Sequence, residues 1–375
     1  MSAHRETRAV NKIGITGIDG LIGWHLRCFL NECANVQVLP GNRATLATQT
    51  LLDEFVVGAD AIVHLAGMNR GDDHEIETTN TALTEALISA CERTGRTPHI
   101  VFASSTHVTR DTAYARSKRR CAQLLDEWAK RRGARFTTFV MPHVFGECGK
   151  PFYNSAVSTF CYQLANAQPP RIIQDSALEL VHAQRVAEGI FDVIENGHTG
   201  EVVIKGFPVT VSDVLRKLGH FAQLYRDQII PPIGTEIDLA LFNTYRSYLY
   251  PTHYPVTVDR KTDERGSLFE AVRSLNGGQS FISTTKPGIV RGNHYHRRKV
   301  ERFFVLDGKA TIRIRKLFAS ETLEFVVGGD RPQYIDIPTL HTHNITNTGD
   351  TTLTTLFWAH EIFDAARPDT YREQV

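Results

Sequence analysis

Apolar positions in the first part of the chain follow two alternating patterns. KIGITG (12–17), AIVHLAG (61–67), HIVFASS (99–105) and FTTFVMP (136–142) are short, continuous and rich in β-branched residues. Strands buried on both faces read this way. Between them, LIGWHLRCFLNE, TTNTALTEALISACERTG and YARSKRRCAQLLDEWAKRRG carry apolar residues at helical spacing. Thr94-Gly95 and Arg132-Gly133 predict where two of these helices stop. Strand–helix–strand repetition predicts a parallel sheet with crossover helices. From about Tyr250 onward the pattern becomes short alternating strands broken by Gly, Pro, Asp and Asn, from SFISTTKPG through ERFFVLDG, KATIRIRK, LEFVVGGD and QYIDIP to TLTTLFWAHEIF. That pattern predicts an all-β sandwich or barrel. The change falls within Asn243–Pro255, giving expected domains of residues 1–245 and 246–375.

Composition narrows the class without changing this picture. A chain of 375 residues suits two domains. A net charge of +1 calls for neither a nucleic acid nor an anionic membrane as partner. No run of about 18 apolar residues offers a membrane span, and the polar start MSAHRETRAVNK has no signal-peptide pattern. Cys28, Cys33, Cys91, Cys121, Cys148 and Cys161 are scattered, with no C-x-x-C pair. They read as reduced thiols, and the expected location is the cytoplasm.

The first chemistry-bearing motif is TGIDGLIG. It places Gly17, Gly20 and Gly23 at a strand-to-helix turn, with Leu21 and Ile22 opening the helix. The glycines permit a tight turn, close approach of a pyrophosphate and close helix packing, while the helix N-terminus offers free N–H groups. The second strand, NVQVLPG, ends without the Asp or Glu that would hold a ribose 2′-hydroxyl, and Arg43 follows it. This favours NADP(H) over NAD(H), with a solvated loop arginine as the plainer reading of Arg43.

Tyr114 and Lys118 form Y-x-x-x-K in a predicted helix, so both lie on one face. A nearby ammonium is expected to lower the tyrosine pKa, and the phenol can then pass a proton to a carbonyl as hydride arrives. Ser105, at the end of HIVFASS, is placed to hydrogen-bond the same oxygen.

Together these residues make the first part, over residues 11–240, similar to the extended short-chain dehydrogenase/reductase family. The resemblance implies Ser105, Tyr114 and Lys118 as the catalytic set. It also implies cofactor contacts from the glycine turn, from Leu65, Ala66 and Gly67 in HLAG, from Tyr114 and Lys118, and from Pro142 in PHVFG. Two departures stand out. Only nine positions separate Ser105 from Tyr114, and VHAQRVA (181–187) lacks acidic residues.

In the second part, Gly288, His294, His296, Glu301 and Gly308 have the spacing of the first cupin motif. Pro338, His343 and Asn347 have that of the second, with Leu340 where the motif has Gly. The resemblance implies a barrel in which His294, His296, Glu301 and His343 hold a divalent metal, Zn2+ first among candidates. KPGIVRGNHYH is also similar to the sugar-nucleotide 3,5-epimerases, which implies His294 as a general base and Arg291 near the substrate. Ligand and base are alternatives for His294, because a metal-bound nitrogen has no free lone pair.

End to end, the chain resembles the two-domain enzymes of capsular polysaccharide biosynthesis. That resemblance implies a bifunctional, homodimeric enzyme acting on a UDP-2-acetamido-2,6-dideoxy-hexos-4-ulose. The cupin would epimerise C3 and the Rossmann domain would reduce C4 with NADPH, toward UDP-N-acetyl-L-fucosamine, with Asn154 contacting the nucleotide sugar. Three alternatives are a reductase or epimerase with a purely structural cupin, a dehydratase or epimerase that recycles a tightly bound cofactor, and a non-catalytic NADP(H)- and metal-binding regulator.

Overall fold

The apolar runs fold in the predicted order as β1 (Lys12–Thr16), α1 (Leu21–Leu30), β2 (Gln37–Gly41), α2 (Arg43–Ala47), β3 (Ala61–His64), α3 (Asp73–Thr94), β4 (His99–Ser105), α4 (Ala113–Arg132) and β5 (Phe136–Met141). A later strand, β6 (Gly200–Val203), joins them. The structure is a computed structural model that describes residues 11–375. The six strands form one sheet in the order β2-β1-β3-β4-β5-β6, with every neighbouring pair parallel. The runs are continuously apolar because helices cover both faces. Ile13, Ile15, Val63 and Val101 pack with Leu26 and Ile190 on one side, and Ile62, Ile100 and Phe102 pack with Leu87, Leu125 and Trp128 on the other.

The strand order reverses about β1, since the chain goes outward to β2 and then returns past β1 to β3. The carboxyl ends of β1 and β3 therefore border the crevice in which such sheets bind ligands. α3 starts earlier than its apolar spacing predicts, because its first turn is polar and is held by Asp72, whose side chain accepts from the His74 and Glu75 amides. α3 and α4 stop at Gly95 and Gly133, both left-handed, as the sequence predicts.

The second part is all-β. Its strands are β7 (Gln279–Thr285), β8 (Val290–Tyr295), β9 (Glu301–Asp307), β10 (Lys309–Lys316), β11 (Thr322–Gly328), β12 (Gln333–Ile337), β13 (His341–Asn347), β14 (Leu353–Ala359) and β15 (Tyr371–Arg372). One sheet runs Val256–Thr257, β12, β9, β14, β7, and the other runs β11, β10, β13, β8, β15. Phe303, Val305, Ile312, Ile314, Ile335, Ile345 and Phe357 fill the space between them. This is the jelly-roll architecture of a cupin, following a Rossmann-type α/β sheet.

Packing divides the chain differently from the expected 1–245 and 246–375. One unit comprises the described residues up to Phe145 with Ala177–Val209, and the other comprises Gly146–Ser176 with Thr210–Val375. Two helices, α5 (Val211–Arg226) and α6 (Glu236–Leu249), thus belong with the β-sandwich. The physical reason is a buried polar network. Arg302 donates to both oxygens of Asp336 at 2.6 and 2.9 Å, Tyr225 of α5 donates to Asp336 at 2.5 Å, and Arg246 of α6 donates to the Ile337 carbonyl at 2.5 Å. All four side chains are essentially inaccessible. Burial opposes charge on Asp336, but the Arg302 guanidinium outweighs it and holds the carboxyl below its ordinary range. Separating such partners leaves a buried charge uncompensated, which is strongly destabilising. Apolar periodicity carries no trace of this network, which is why pattern alone put the boundary elsewhere.

Among the described residues no helix is long and apolar enough to cross a membrane, and no disulfide joins any of the six cysteines.

Candidate active sites

In the first unit, β1 delivers Gly17 at φ +70°, where a Cβ would lie 2.9 Å from the Ala66 amide nitrogen. A Cβ on Gly23 would collide with the Gly17 carbonyl oxygen, so α1 sits directly on the turn. Gly20 caps α1 without any side-chain acceptor, which leaves the N–H groups of Leu21, Ile22 and Gly23 directed out of the helix end. This cradle fits a dinucleotide pyrophosphate. Thr16 Oγ1 accepts from the Leu65 and Ala66 amides at 3.1 Å, tying the ends of β1 and β3 together. Those two amides are therefore spent within the protein, and Leu65 and Ala66 form a wall of the crevice without donating their N–H groups. Gly67 packs on Asn80, whose Oδ1 would lie 3.0 Å from a Cβ there.

Arg43 opens α2 two residues beyond β2, and the last β2 residue, Gly41, accepts from the Gly17 amide at 3.0 Å. The arginine thus stands at the same sheet edge as the glycine turn. Pro142 follows β5 at that carboxyl edge too.

Ser105 ends β4, and its Oγ accepts from the His107 amide at 3.2 Å, so its own proton stays available. Tyr114 lies in the first turn of α4, which is capped by Thr112. Lys118, one turn on, donates to the Ala103 carbonyl at 2.8 Å and lies 5.8 Å from the centre of the Tyr114 ring. The structure corrects one expectation here. Tyr114 is not made more acidic; burial pushes its phenol up to about 12. The Lys118 ammonium is turned onto a carbonyl, and its own pKa is lowered to about 8 by burial. A phenol that keeps its proton is the form a reductase acid needs.

Sequence reading missed Asn80. It is buried at 4% exposure on the inner face of α3, donates to the Met68 carbonyl at 2.8 Å and to Ser117 Oγ at 3.0 Å, and accepts from the Met68 amide. Ser117 in turn donates to the Tyr114 carbonyl at 2.8 Å. Asn80 therefore links the HLAG loop to the turn that carries Tyr114. The available signal was an asparagine in register with the buried positions Ile76, Thr84 and Leu87.

Lys118 also yields a stability prediction. Its folded pKa of about 8 lies below the ordinary lysine value of 10.5, so its penalty is complete below about pH 8 and fades as pH rises toward 10.5. The shift corresponds to on the order of 3 kcal/mol. Lys118→Met is expected to lose at least about 100-fold in reduction rate while its melting temperature at pH 7 is not lowered. Calorimetry at pH 7 and pH 10 checks this, and a large destabilisation at pH 7 would contradict it.

In the second unit, His294, His296, Glu301 and His343 converge, with one ligand-type atom from each lying within 4.8 Å of all the others. β8 supplies His294, His296 follows directly on its end, β13 supplies His343, and β9 of the facing sheet supplies Glu301. β8 bulges at Asn293 (φ +59°), so that Gly292 pairs with Asn344 and His294 with His343. Gly292 has φ +103°, and a Cβ there would lie 2.8 Å from the His343 carbonyl. Leu340 sits at φ +59°, which explains why the motif has glycine at this place.

The donor chemistry tests whether a cation fits. His296 Nδ1 donates to the Asp369 carbonyl at 2.5 Å and His343 Nδ1 to the His341 carbonyl at 3.3 Å. In the neutral rings both Nε2 atoms therefore carry lone pairs. His296 Nε2 lies 2.9 Å from Glu301 Oε2, and His343 Nε2 lies 3.5 Å from it with no hydrogen-bond partner. Two lone pairs and a carboxylate facing one another call for a positive charge, so the set fits a divalent metal. Burial opposes charge on His296, but Glu301 outweighs it and raises its pKa; the same contact holds Glu301 well below the carboxylate range. His294 is the least buried of the four and lines an open hollow of about 670 Å³. Asn347, in the second motif, donates to the Thr285 and Thr351 carbonyls and is a loop tie.

Of the two substrate candidates, Asn154 is exposed just before the helix Ala156–Ala165. Arg291 is tied to β7, donating to Thr285 Oγ1 at 2.9 Å and the Thr284 carbonyl at 3.1 Å.

Residues 13–205 match the NAD dependent epimerase/dehydratase family. This chain belongs to that family. Residues 261–371 match the polysaccharide biosynthesis C-terminal domain. This family member is 31% identical over 365 residues to UDP-2-acetamido-2,6-beta-L-arabino-hexul-4-ose reductase of Pseudomonas aeruginosa, across 96% of this chain and 98% of the relative. It is similar to the crystal structure of capsular polysaccharide assembling protein CapF from Staphylococcus aureus, with TM-score 0.63 and 34% identity, covering 97% and 100% of the two chains. A shorter likeness, 27% over 123 residues, links it to the spore coat polysaccharide biosynthesis protein SpsL of Bacillus subtilis, of which it covers 82%. Membership in an epimerase/dehydratase family makes the chain an enzyme with a nicotinamide cofactor.

Proposed function

We propose that the chain is a bifunctional nucleotide-sugar enzyme, which inverts C3 of a UDP-2-acetamido-2,6-dideoxy-hexos-4-ulose in the β-sandwich unit and reduces its C4 ketone in the Rossmann-type unit. The observation that carries the reading is the end-to-end likeness to a reductase named for a UDP-linked 4-hexulose. The two separate constellations in one chain support it. The product would stand on the way to UDP-N-acetyl-L-fucosamine for a surface polysaccharide.

For the reduction, NADPH supplies the hydride when bound. The α1 terminus and glycine turn would hold its pyrophosphate, and Arg43 would meet the 2′-phosphate. Ser105 donates a hydrogen bond to the C4 oxygen, and Tyr114, fully protonated near neutral pH, gives that oxygen its proton. Lys118 positions the phenol from one helical turn away. Asn154 is assigned to the nucleotide sugar.

For the epimerisation, the C4 ketone acidifies the C3 proton, so a base beside C3 can remove it to leave an enolate, and a solvent-derived proton returned to the opposite face then inverts the centre. His294 is the member of its cluster that reaches the hollow, which supports its role in proton transfer. His296, Glu301 and His343 would hold the cation, Zn2+ in our assignment. Held by these residues, a divalent cation would supply positive charge to stabilise an enolate.

The deciding experiment incubates the protein with a UDP-4-keto-6-deoxy-HexNAc and NADPH in D2O and follows C3 and C4 by NMR. The reading expects deuterium at C3 and a hydroxyl-bearing C4; reduction with C3 unlabelled would leave the β-sandwich as a structural part. Arg43→Ala is expected to raise KM for NADPH about 10-fold or more with little change for NADH, from loss of a charge-assisted contact. Steady-state kinetics with both cofactors check this, and equal effects on the two would remove Arg43 from the 2′-phosphate site.

A further inference from the structure

We infer that Arg372, on the last strand of the chain, is the diphosphate-binding residue of the β-sandwich pocket. The inference rests on the two-site reading above and deepens it. β15 pairs antiparallel with β8 so that Arg372 lies directly opposite His294, and Tyr371 lies opposite Tyr295. Directly paired residues project to the same face of a sheet. The Tyr295 and Tyr371 rings stack at 5.3 Å on one face, so His294 and Arg372 share the other, which faces the metal-type cluster.

The hollow of about 670 Å³ is bordered by both residues, together with Asn293, Thr370 and Glu373. Its charges are unequal. The Glu373 carboxylate is taken by Arg315 at 3.0 Å, and Glu301 faces His296 and His343 inside the cluster. The Arg372 guanidinium makes no hydrogen bond or ion pair with the described residues, whereas Arg298, Arg302, Arg313 and Arg315 each pair with an acid. Arg291, the arginine that sequence resemblance points to, is already engaged by β7.

The strand that carries Arg372 is well anchored. The Glu373 amide donates to the Asn293 carbonyl at 3.1 Å, Thr342 Oγ1 donates to the Glu373 carbonyl, and Arg315 donates to the Gln374 carbonyl. A guanidinium with five free donors on an anchored strand, one strand spacing from His294, suits a diphosphate whose sugar extends toward the imidazole.

The test uses the full-length, metal-loaded protein with Arg372→Gln and Arg372→Lys. In the C3 deuterium-exchange assay, Arg372→Gln is expected to raise KM about 10-fold or more with kcat within about twofold, and Arg372→Lys to recover part of the loss. Reduction of an already epimerised substrate should be unchanged. A KM equal to wild type, or a fall in kcat at constant KM, overturns the inference. Calorimetric titration with UDP reads the pocket without turnover. Two sites per chain are expected in the wild type, one of them weakened about 10-fold or more in Arg372→Gln. Identical isotherms overturn the inference even if the wild type shows no C3 exchange, a result that would by itself remove only the epimerase reading.

Discussion

Tyr114→Phe is expected to lower the rate of NADPH oxidation by the 4-keto sugar by roughly 100- to 10,000-fold, the usual range for loss of a positioned proton donor. The change removes one oxygen from a half-buried ring at the start of α4. The helix cap from Thr112 and the Ser117 contact to the Tyr114 backbone are both unaffected by it. Deuterium exchange at C3 should persist, because His294 and its cluster lie in the other packing unit. Loss of both activities together would break the two-site reading. With Tyr114 held at about 12 and Lys118 at about 8, the acid stays protonated throughout the neutral range.

Metal removal should produce the largest change in stability. A cation present at a thousand times its Kd adds about 4 kcal/mol to the folded state. At the 2–4 °C per kcal/mol typical of a unit this size, chelation is expected to lower the melting of the β-sandwich unit by about 10 °C. His343→Ala should reproduce that loss and become insensitive to chelator, since His343 is fully buried and its Nε2 faces Glu301 without a hydrogen-bond partner. Scanning calorimetry of wild type and variant, with and without chelator, measures this. A wild type that melts identically in both conditions would count against metal binding by this set.

Local chemistry was legible in the sequence wherever spacing alone brings residues together. The glycine turn and the Y-x-x-x-K pair depend on one turn or one helix, and the structure assembles each; the cupin ligand spacing marks residues that two facing sheets bring together. Electrostatics was less legible. The pairing of Tyr114 with Lys118 suggests a lowered phenol pKa, yet desolvation and the Ala103 carbonyl decide the outcome, and neither is visible in a spacing rule. Asn80 and Arg372 escaped for a related reason. One joins the HLAG loop to the turn that carries Tyr114, and the other meets His294 only through strand pairing across 78 positions of sequence. The packing boundary was hidden because Arg302, Asp336, Tyr225 and Arg246 come from distant segments whose apolar patterns are unremarkable.

The interleaved division of the chain bears on how it can be made and recombined. The first unit is complete only once β6 and its flanks, within Ala177–Val209, have been synthesised, while Gly146–Ser176 must wait for partners that begin at Thr210. During synthesis the sheet can close while the intervening 31 residues are still without their sandwich. A crossover or truncation at 245/246 would cut through α6 and part Tyr225 of α5 from the buried Arg302–Asp336 pair. Exchange of sandwich modules between such enzymes is therefore constrained to carry two separate segments of coding sequence.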